Sequence, residues 1–183
     1  TVALSADGGD EVFAGYAHYA TLSKYVRQID NIPTVLKGST YTFATGLKRI
    51  IPAKFVGAQH RLHAFVSSVK LEKNRQVAAM YEAMSYFPAS YIQNLLLEPV
   101  DGYATSFEDD FSGFTQTGTI ALAIDYNNFL QNDILTKVDR ATMSVSLEGR
   151  EPLLDHRLAE FVARLPSAYK NDGLVSKKIL KDI

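Results

Sequence analysis

Residues 2–16 of the chain are V-A-L-S-A-D-G-G-D-E-V-F-A-G-Y, and the interpretation of the whole sequence starts from them. Val2-Ala3-Leu4 is a short apolar run typical of a buried strand. Three carboxylates, Asp7, Asp10 and Glu11, surround two adjacent glycines. A helix is predicted to begin near Asp10, because the helix macrodipole favours acids in a first turn. A strand, an acidic glycine turn and a helix together suit Mg²⁺ and a phosphate ester, although an ordinary strand-to-helix turn has the same composition.

This turn resembles the signature of a known family. Residues 5–16, S-A-D-G-G-D-E-V-F-A-G-Y, are similar to the pattern S-G-[ED]-G-x-D-E-x-F-G-G-Y of the asparagine synthetase family, in its ATP-dependent synthetase domain. Ala6 and Ala14 stand where that pattern has Gly.

Two further stretches resemble the same family. Residues 125–158, D-Y-N-N-F-L-Q-N-D-I-L-T-K-V-D-R-A-T-M-S-V-S-L-E-G-R-E-P-L-L-D-H-R-L, are similar to a second pattern, D-x-x-x-x-L-x-x-D-x-L-x-K-x-D-R-x-[ST]-M-x-x-S-L-E-[AG]-R-x-P-[FL]-L-D. Residues 173–181, G-L-V-S-K-K-I-L-K, are similar to a late element and place Lys177 at its lysine position. The resemblance therefore reaches from the first residues to the last, whereas residues 33–119 carry little specific signal.

The resemblance implies a ligase that converts aspartate to asparagine with ATP and Mg²⁺. In that family the side-chain carboxylate of aspartate first forms a β-aspartyl-adenylate and releases pyrophosphate, and ammonia then displaces AMP. The ammonia comes from glutamine, which a separate glutaminase domain hydrolyses. The implied partners are small molecules (aspartate, ATP and ammonia), and the implied location is the cytoplasm.

The resemblance also implies roles for individual residues. Asp10 is predicted to help hold Mg²⁺ against pyrophosphate oxygens. Asp7 is predicted to orient the substrate amine or to take a proton from ammonia. Lys177 is predicted to neutralise charge on the leaving pyrophosphate. We therefore expect Asp10 and Lys177 to meet at one magnesium–nucleotide pocket.

The remaining predicted site residues bind ligands. Ser5, Ala6 and Gly8 are predicted to line the adenylate, the first two through backbone groups. Glu11 is predicted to share the role of Asp7 or to bind the amino-acid substrate.

The chain is expected to be part of a larger protein. It has 183 residues, begins at Thr1 and ends in a predicted helix. We assign residues 1–183 to the C-terminal part of the synthetase domain, because the family's pyrophosphate loop, S-G-G-x-D-S, is not among them. The glutaminase needs a cysteine nucleophile, and the chain has no cysteine. This piece by itself is thus expected to lack glutamine hydrolysis and to be inactive, with weak nucleotide binding or none.

The expected fold is mostly α, a fragment of an adenine-nucleotide α-hydrolase-like (ATP pyrophosphatase) α/β domain with one short strand and more than half of its residues in helices. A turn is predicted at residues 171–173, and Ser176 is predicted to cap the last helix. Helices are predicted over residues 16–29, 33–37, 40–51, 55–69, 71–87, just after Ser90, 121–147, 156–165 and 177–183, with an irregular loop over 98–119. The open edge of the strand favours cover by a partner, such as a second copy in a homodimer.

Composition excludes several function classes. The net charge of −1 gives no indication of a nucleic-acid or membrane-surface partner, and no apolar run reaches the roughly 18 residues that a transmembrane helix needs. His60 and His63 lie one turn apart on a predicted helix, but without a third ligand they favour a surface pair over a metal site.

Two rival functions remain open. One is another amide-forming ligase of the superfamily, resembling β-lactam synthetase or a peptide cyclase. Asp7 favours asparagine synthesis over this rival, because lactam-forming relatives tend to have Tyr at that position. A non-catalytic helical interaction domain is the other.

Charged residues of the second signature also have two interpretations. A buried ion network is favoured for Glu148, Arg150 and Asp155, whereas scaffold and site remain equal for Asp139 and Arg140.

Overall fold

A computed structural model describes residues 1–39, 42, 62, 64–66, 68–84, 92, 95–98, 111 and 113–183. Of these described residues, 65% are helical, and the only sheet among them has two short parallel strands. The predicted fold class, a mostly α piece of an α/β domain, is therefore confirmed.

The sheet pairs the amino end of the chain with a strand close to its carboxyl end. Strand β1 is Val2–Leu4 and strand β2 is Glu148–Arg150, with Ala3 opposite Gly149. The first strand was predicted, but its burial was wrong, since Leu4 is 74% exposed. The second strand was not predicted. The helix expected to reach residue 147 ends at Met143, and Ser146 (φ +57°) turns the chain into β2.

Helices make up most of the remaining described structure. A π-helical segment, Asp125–Leu135, joins Thr117–Ile124 to Thr136–Met143, and Pro152–Leu154 forms a 3₁₀ turn after β2. Residues 34–39 are also helical. The named α-helices are α1 (Gly9–Phe13), α2 (Ala17–Asp30), α3 (Lys73–Glu82), α4 (Thr117–Ile124), α5 (Thr136–Met143), α6 (His156–Arg164), α7 (Ser167–Lys170) and α8 (Lys178–Lys181).

Several predicted elements match these bounds. Helix α2 agrees with the helix expected over residues 16–29. Asp155 caps α6 as predicted, because its Oδ1 accepts from the backbone N–H of Arg157 at 2.9 Å. Ser176 does not cap the last helix, because Lys177 occupies the N-cap position. Apart from residues 42, 62, 92 and 95–97, the elements predicted at 40–51, 55–63 and just after Ser90 lie outside the described residues, as do most of 98–119, His60 and His63.

The chain divides into two compact units. The first comprises Thr1–Ala20 and Ala121–Ile183. Its core is formed by Val12 and Phe13 of α1 and Val162 of α6. Half-buried apolar side chains pack around them: Tyr126, Leu153, Leu154, Leu158, Leu165, Ile179 and Leu180. Helix α1, which follows the acidic turn, is thus anchored by its apolar side chains.

The second unit, Thr21–Ile120, has its own core. Apolar side chains on one face of α2 and of α3 are buried. The fully buried side chains include Leu22, Val26, Ile29, Val69, Val77 and Met80.

The buried ion network predicted for the second signature is wrong. Arg150 Nε donates to Glu148 Oε1 at 2.8 Å, but both side chains are more than half exposed. Asp155 pairs instead with Arg157 on the surface, and Arg157 lowers the pKa of that carboxyl. None of the helices among the described residues has the length and hydrophobicity that crossing a bilayer requires.

Candidate functional site

The acidic turn is shaped by Gly8. Its φ of +83° lies in the left-handed region, and a Cβ there would come within 2.1 Å of Leu154 Cδ2. Glycine is therefore required by both backbone conformation and packing. The contact fixes the turn against the 3₁₀ segment, so the start of α1 has a defined position.

Three carboxylates of the turn have three different partners. Asp7 Oδ2 accepts from Ser5 Oγ at 2.5 Å, Asp10 pairs with Lys177, and Glu11 Oε1 accepts from Tyr16 Oη at 2.6 Å. Separate partners reduce the mutual repulsion that clustered carboxylates would otherwise have. The three carboxylates, close together in the sequence, therefore form three separate local arrangements.

Asp10 and Lys177 are in direct contact. Lys177 Nζ lies 2.8 Å from Asp10 Oδ1, and the side chains are 32% and 34% exposed respectively. The expected meeting of the two residues is therefore observed, while their roles in catalysis remain predictions. Both groups are partly exposed, so the Asp10 carboxylate can bind a metal ion and the Lys177 ammonium group can bind an anion.

Gly15 makes this contact possible. A Cβ at Gly15 would lie 1.8 Å from Asp10 Oδ1 and 2.3 Å from Lys177 Cε, so the ion pair occupies the space that any side chain would need. The preceding residue, Ala14, has a φ of +57°, which glycine adopts more readily than alanine. This backbone requirement accounts for the glycine in the family pattern at that position.

The residues predicted to line the adenylate lie at the end of β1. The backbone N–H of Ser5 donates to the Arg150 carbonyl at 2.9 Å, and the Ala6 carbonyl accepts from Gly9 at 3.2 Å. Backbone contacts to a nucleotide would therefore use the Ser5 carbonyl or the Ala6 N–H. Gly8 is buried, whereas Ala6 is exposed.

Glu11 is the most deeply placed of the three acids. It is 2% exposed, and among the described residues no hydrogen-bond partner reaches its Oε2. Burial and the hydrogen bond to Glu11 raise the pKa of Tyr16. Glu11 could contact an amino-acid substrate only if its surroundings moved to expose it, and the substrate-binding role remains a prediction.

A second buried acid, not singled out from the sequence, lies in the same unit. Asp125 is fully buried, and its Oδ2 lies 2.9 Å from His18 Nε2. The ring of His18 stacks on that of Tyr16, with centroids 5.2 Å apart. Asp125 is the first residue of the second family signature, and its position there is the only sequence signal that could have identified it.

Asp10 is compatible with Mg²⁺ as a single protein ligand, without a cluster of further ligands. Within the part of the chain that the structure describes, no three His, Cys, Asp or Glu side chains gather closely enough to hold a metal ion. Mg²⁺ commonly keeps several waters and binds through one or two carboxylates together with substrate phosphates. Asp10 fits that pattern as a single ligand.

A comparison with known families identifies the chain. The family model for asparagine synthase matches residues 1–183. The chain belongs to the asparagine synthase family. All three stretches that resembled this family in the sequence lie within the match.

Curated relatives carry the family name at low identity. The "Asparagine synthetase [glutamine-hydrolyzing] 1" of Bacillus subtilis is 24% identical over 99% of this chain and 27% of its own length. The "Putative asparagine synthetase [glutamine-hydrolyzing]" of Mycobacterium tuberculosis is 28% identical over 98% of this chain and 26% of its own length. The chain thus spans about a quarter of the relatives that it matches. No solved structure matches it.

Proposed function

We propose that this chain is part of an ATP-dependent ligase that converts aspartate to asparagine. The Asp10–Lys177 pair carries the proposal, because it brings a carboxylate and an amine from two separate family signatures to 2.8 Å. The proposal extends to the whole protein, with ATP and Mg²⁺ as cofactors and with glutamine as the source of ammonia. Cytoplasmic location and a homodimer remain predictions.

The first proposed step is adenylation. A carboxylate oxygen of aspartate attacks the α-phosphorus of ATP, a new O–P bond forms, and the bond to pyrophosphate breaks. Such transfers depend on positioning and charge neutralisation. Lys177 neutralises charge on the departing pyrophosphate, and Asp10 is the residue that would hold Mg²⁺, which supplies further positive charge when bound.

Nucleotide binding would exchange the partners of the ion pair. Asp10 and Lys177 neutralise each other in the observed contact. Phosphate oxygens are better matched to the Lys177 ammonium, and a metal ion is better matched to the Asp10 carboxylate. Each group therefore gains a ligand of opposite charge when the pair separates.

The second proposed step forms the amide. The ammonia nitrogen attacks the acyl carbon, AMP leaves with the electrons of the broken C–O bond, and one proton leaves the nitrogen. Asp7 is the proposed acceptor of that proton or the group that orients the substrate amine. Its hydrogen bond from Ser5 Oγ, 2.5 Å long, holds the carboxylate at the end of β1. Ser5, Ala6 and Gly8 line the adenylate in this proposal.

The full-length protein, assayed with ATP, Mg²⁺, aspartate and ammonia, tests the function through pyrophosphate release. Release that depends on aspartate supports the proposal. Release with another carboxylic acid but none with aspartate would transfer the function to the lactam-forming or cyclising ligases. No release with any acid would favour a non-catalytic helical domain.

Asp10→Asn tests the site within that assay. The variant should abolish turnover and leave the fold intact, because the side chain is isosteric and partly exposed. Circular dichroism and the melting temperature provide the folding control. Unchanged turnover would remove Asp10 from the site.

A further inference from the structure

The turn that presents Lys177 is built by side chains outside the proposed site. It runs from Asn171 to Ser176, which form an isolated antiparallel bridge, and Lys177 follows at once. Gly173, in the middle of the turn, has a φ of +91°. The turn therefore reverses the chain immediately before the residue that contacts Asp10.

Asp172 accepts two of the hydrogen bonds within this turn. Its Oδ1 accepts from the backbone N–H of Val175 at 2.8 Å and of Leu174 at 2.9 Å. Its Oδ2 lies 3.3 Å from Lys178 Nζ, on the far side of Lys177. One carboxylate thus fixes the backbone before Lys177 and a side chain after it.

Asn171 attaches the same turn to the acidic segment. Its Oδ1 accepts from the N–H of Gly173 at 2.8 Å, and its Nδ2 donates to the carbonyl of Ala14 at 3.3 Å. Ala14 directly precedes Gly15, whose missing side chain leaves room for the ion pair. The turn and the acidic segment are therefore held together beside the contact that they form.

Lys177 itself has an uncommon backbone. Its φ of +52° and ψ of +37° lie in the left-handed region. A residue other than glycine pays roughly 1–2 kcal/mol for that conformation, so surrounding interactions must hold it. On the helix side, the Lys177 carbonyl accepts from the N–H groups of Leu180 and Lys181 at 3.0 and 3.2 Å. On the other side, the hydrogen bonds of Asp172 hold the chain that leads into Lys177.

We propose that Asp172 is a positioning residue, whose carboxylate holds the 171–176 turn so that Lys177 adopts its left-handed backbone and reaches Asp10. The catalytic consequence rests on the proposed function, whereas the placement of Lys177 does not. Asp172 acts through its Oδ1 acceptor, and the ion pair with Lys178 is secondary.

Three variants of the full-length protein separate these contributions. Asp172→Ala removes both the acceptor and the charge. Asp172→Asn keeps an oxygen for the two backbone N–H groups and removes the charge. Lys178→Met removes the ion pair and keeps the turn.

The first measurement is the rate at which an amine-acetylating reagent modifies Lys177, followed by peptide mass spectrometry, with exposed Lys181 as the internal reference. Asp172→Ala should raise the relative rate at Lys177 severalfold, because the amine no longer rests against Asp10. Asp172→Asn and Lys178→Met should keep the wild-type rate. A wild-type rate in Asp172→Ala would overturn the proposal, and so would a rise in Asp172→Asn equal to that in Asp172→Ala.

The second measurement is pyrophosphate release. Asp172→Ala should lower kcat by about tenfold or more with an unchanged KM for aspartate, because a misplacement of about 1 Å can cost up to roughly 10²-fold. Asp172→Asn should restore kcat. Loss of kcat in the Asn variant as large as in the Ala variant would overturn the proposal.

Two further comparisons keep the result decisive. If Asp172→Ala fails to fold, Gly173→Ala takes its place, because alanine opposes the φ of +91° while no described atom lies within 4 Å of the added Cβ. If the wild-type protein releases no pyrophosphate, the proposed function fails, but the acetylation rates still decide the role of Asp172.

Discussion

Gly15→Ala is the smallest change that should separate Asp10 from Lys177. The added Cβ would lie 1.8 Å from Asp10 Oδ1 and 2.3 Å from Lys177 Cε, and Cβ contacts under 3.0 Å are essentially never seen. Both atoms belong to flexible side chains, so the side chains will move and the backbone will stay. The ion pair of 2.8 Å cannot survive that movement.

The expected losses differ greatly between stability and activity. A pair in which each side chain is about a third exposed contributes at most about 1 kcal/mol, so the melting temperature should fall only slightly. Displacing both groups by about 1 Å should lower the rate of pyrophosphate release by roughly 10²-fold. A large loss of rate in a folded protein is therefore the signature of this variant.

The assay compares pyrophosphate release and thermal unfolding of full-length Gly15→Ala with those of Gly118→Ala. Gly118 lies in α4, and no described atom lies within 4 Å of the Cβ that the control adds. The control should retain wild-type turnover. Turnover of Gly15→Ala within about twofold of wild type would refute the idea that the site needs the side chains of Asp10 and Lys177 in the space beside Gly15.

Three other predictions concern stability and pH. Phe13→Ala, in the core of the first unit, should lower the free energy of unfolding, measured in urea, by about 3–5 kcal/mol. A decrease below about 1 kcal/mol would show that α1 is not anchored there. Asp155→Ala should lower the melting temperature by removing the α6 cap, while Asp155→Asn should largely restore it; equal losses in both variants would contradict a cap made by the side-chain oxygen. The N–H groups of Val175 and Leu174 lower the pKa of Asp172 to about 2, below the unfolded value of about 3.9. The stabilisation of the folded chain by the ionised Asp172 carboxylate is therefore complete above pH ~4 and is lost as the pH falls through 2. Hydrogen exchange at Leu174, corrected for the intrinsic rate, should accelerate between pH 4 and 2, and a constant corrected rate would contradict the prediction.

Local signals predicted the part of the fold that surrounds the acidic turn. The apolar run Val2–Leu4, the acids at the start of α1 and the cap at Asp155 each depend on neighbouring residues, and the structure has a strand, a helix and a capped helix there. Strand β2 was missed because Gly149 suggests the end of a helix, whereas its strand conformation comes from pairing with Ala3, far away in the sequence.

Burial of charge was predicted less well than the elements. Glu148 and Arg150 stand in a mostly apolar sequence, which favoured a buried network, but their side chains extend to solvent from β2. Conversely, Asp125 lies between an apolar run, residues 120–124, and a polar stretch, and it is fully buried beside His18. The direction that a side chain takes depends on the tertiary arrangement and cannot be obtained from the charge pattern.

The site was predictable where a signature named its residues. Asp10 and Lys177 lie in two separate signatures, and only the family resemblance suggested that they meet. The support around them was not predictable. The space left by Gly15, the left-handed backbone of Lys177 and the bonds of Asp172 are properties of the folded chain, and the sequence shows only a glycine, a lysine and a turn.

A double-mutant cycle on pyrophosphate release tests most directly whether Asp10 and Lys177 act on the same nucleotide. The cycle compares Asp10→Glu, Lys177→Arg and the double variant in the full-length protein, with ATP, Mg²⁺, aspartate and ammonia. These substitutions keep each charge and shift its position, so turnover should stay measurable. If the two residues work as one unit, the double variant should lose about as much activity as the worse single variant. Losses that multiply would mean that the residues act independently, and the proposed site would be wrong.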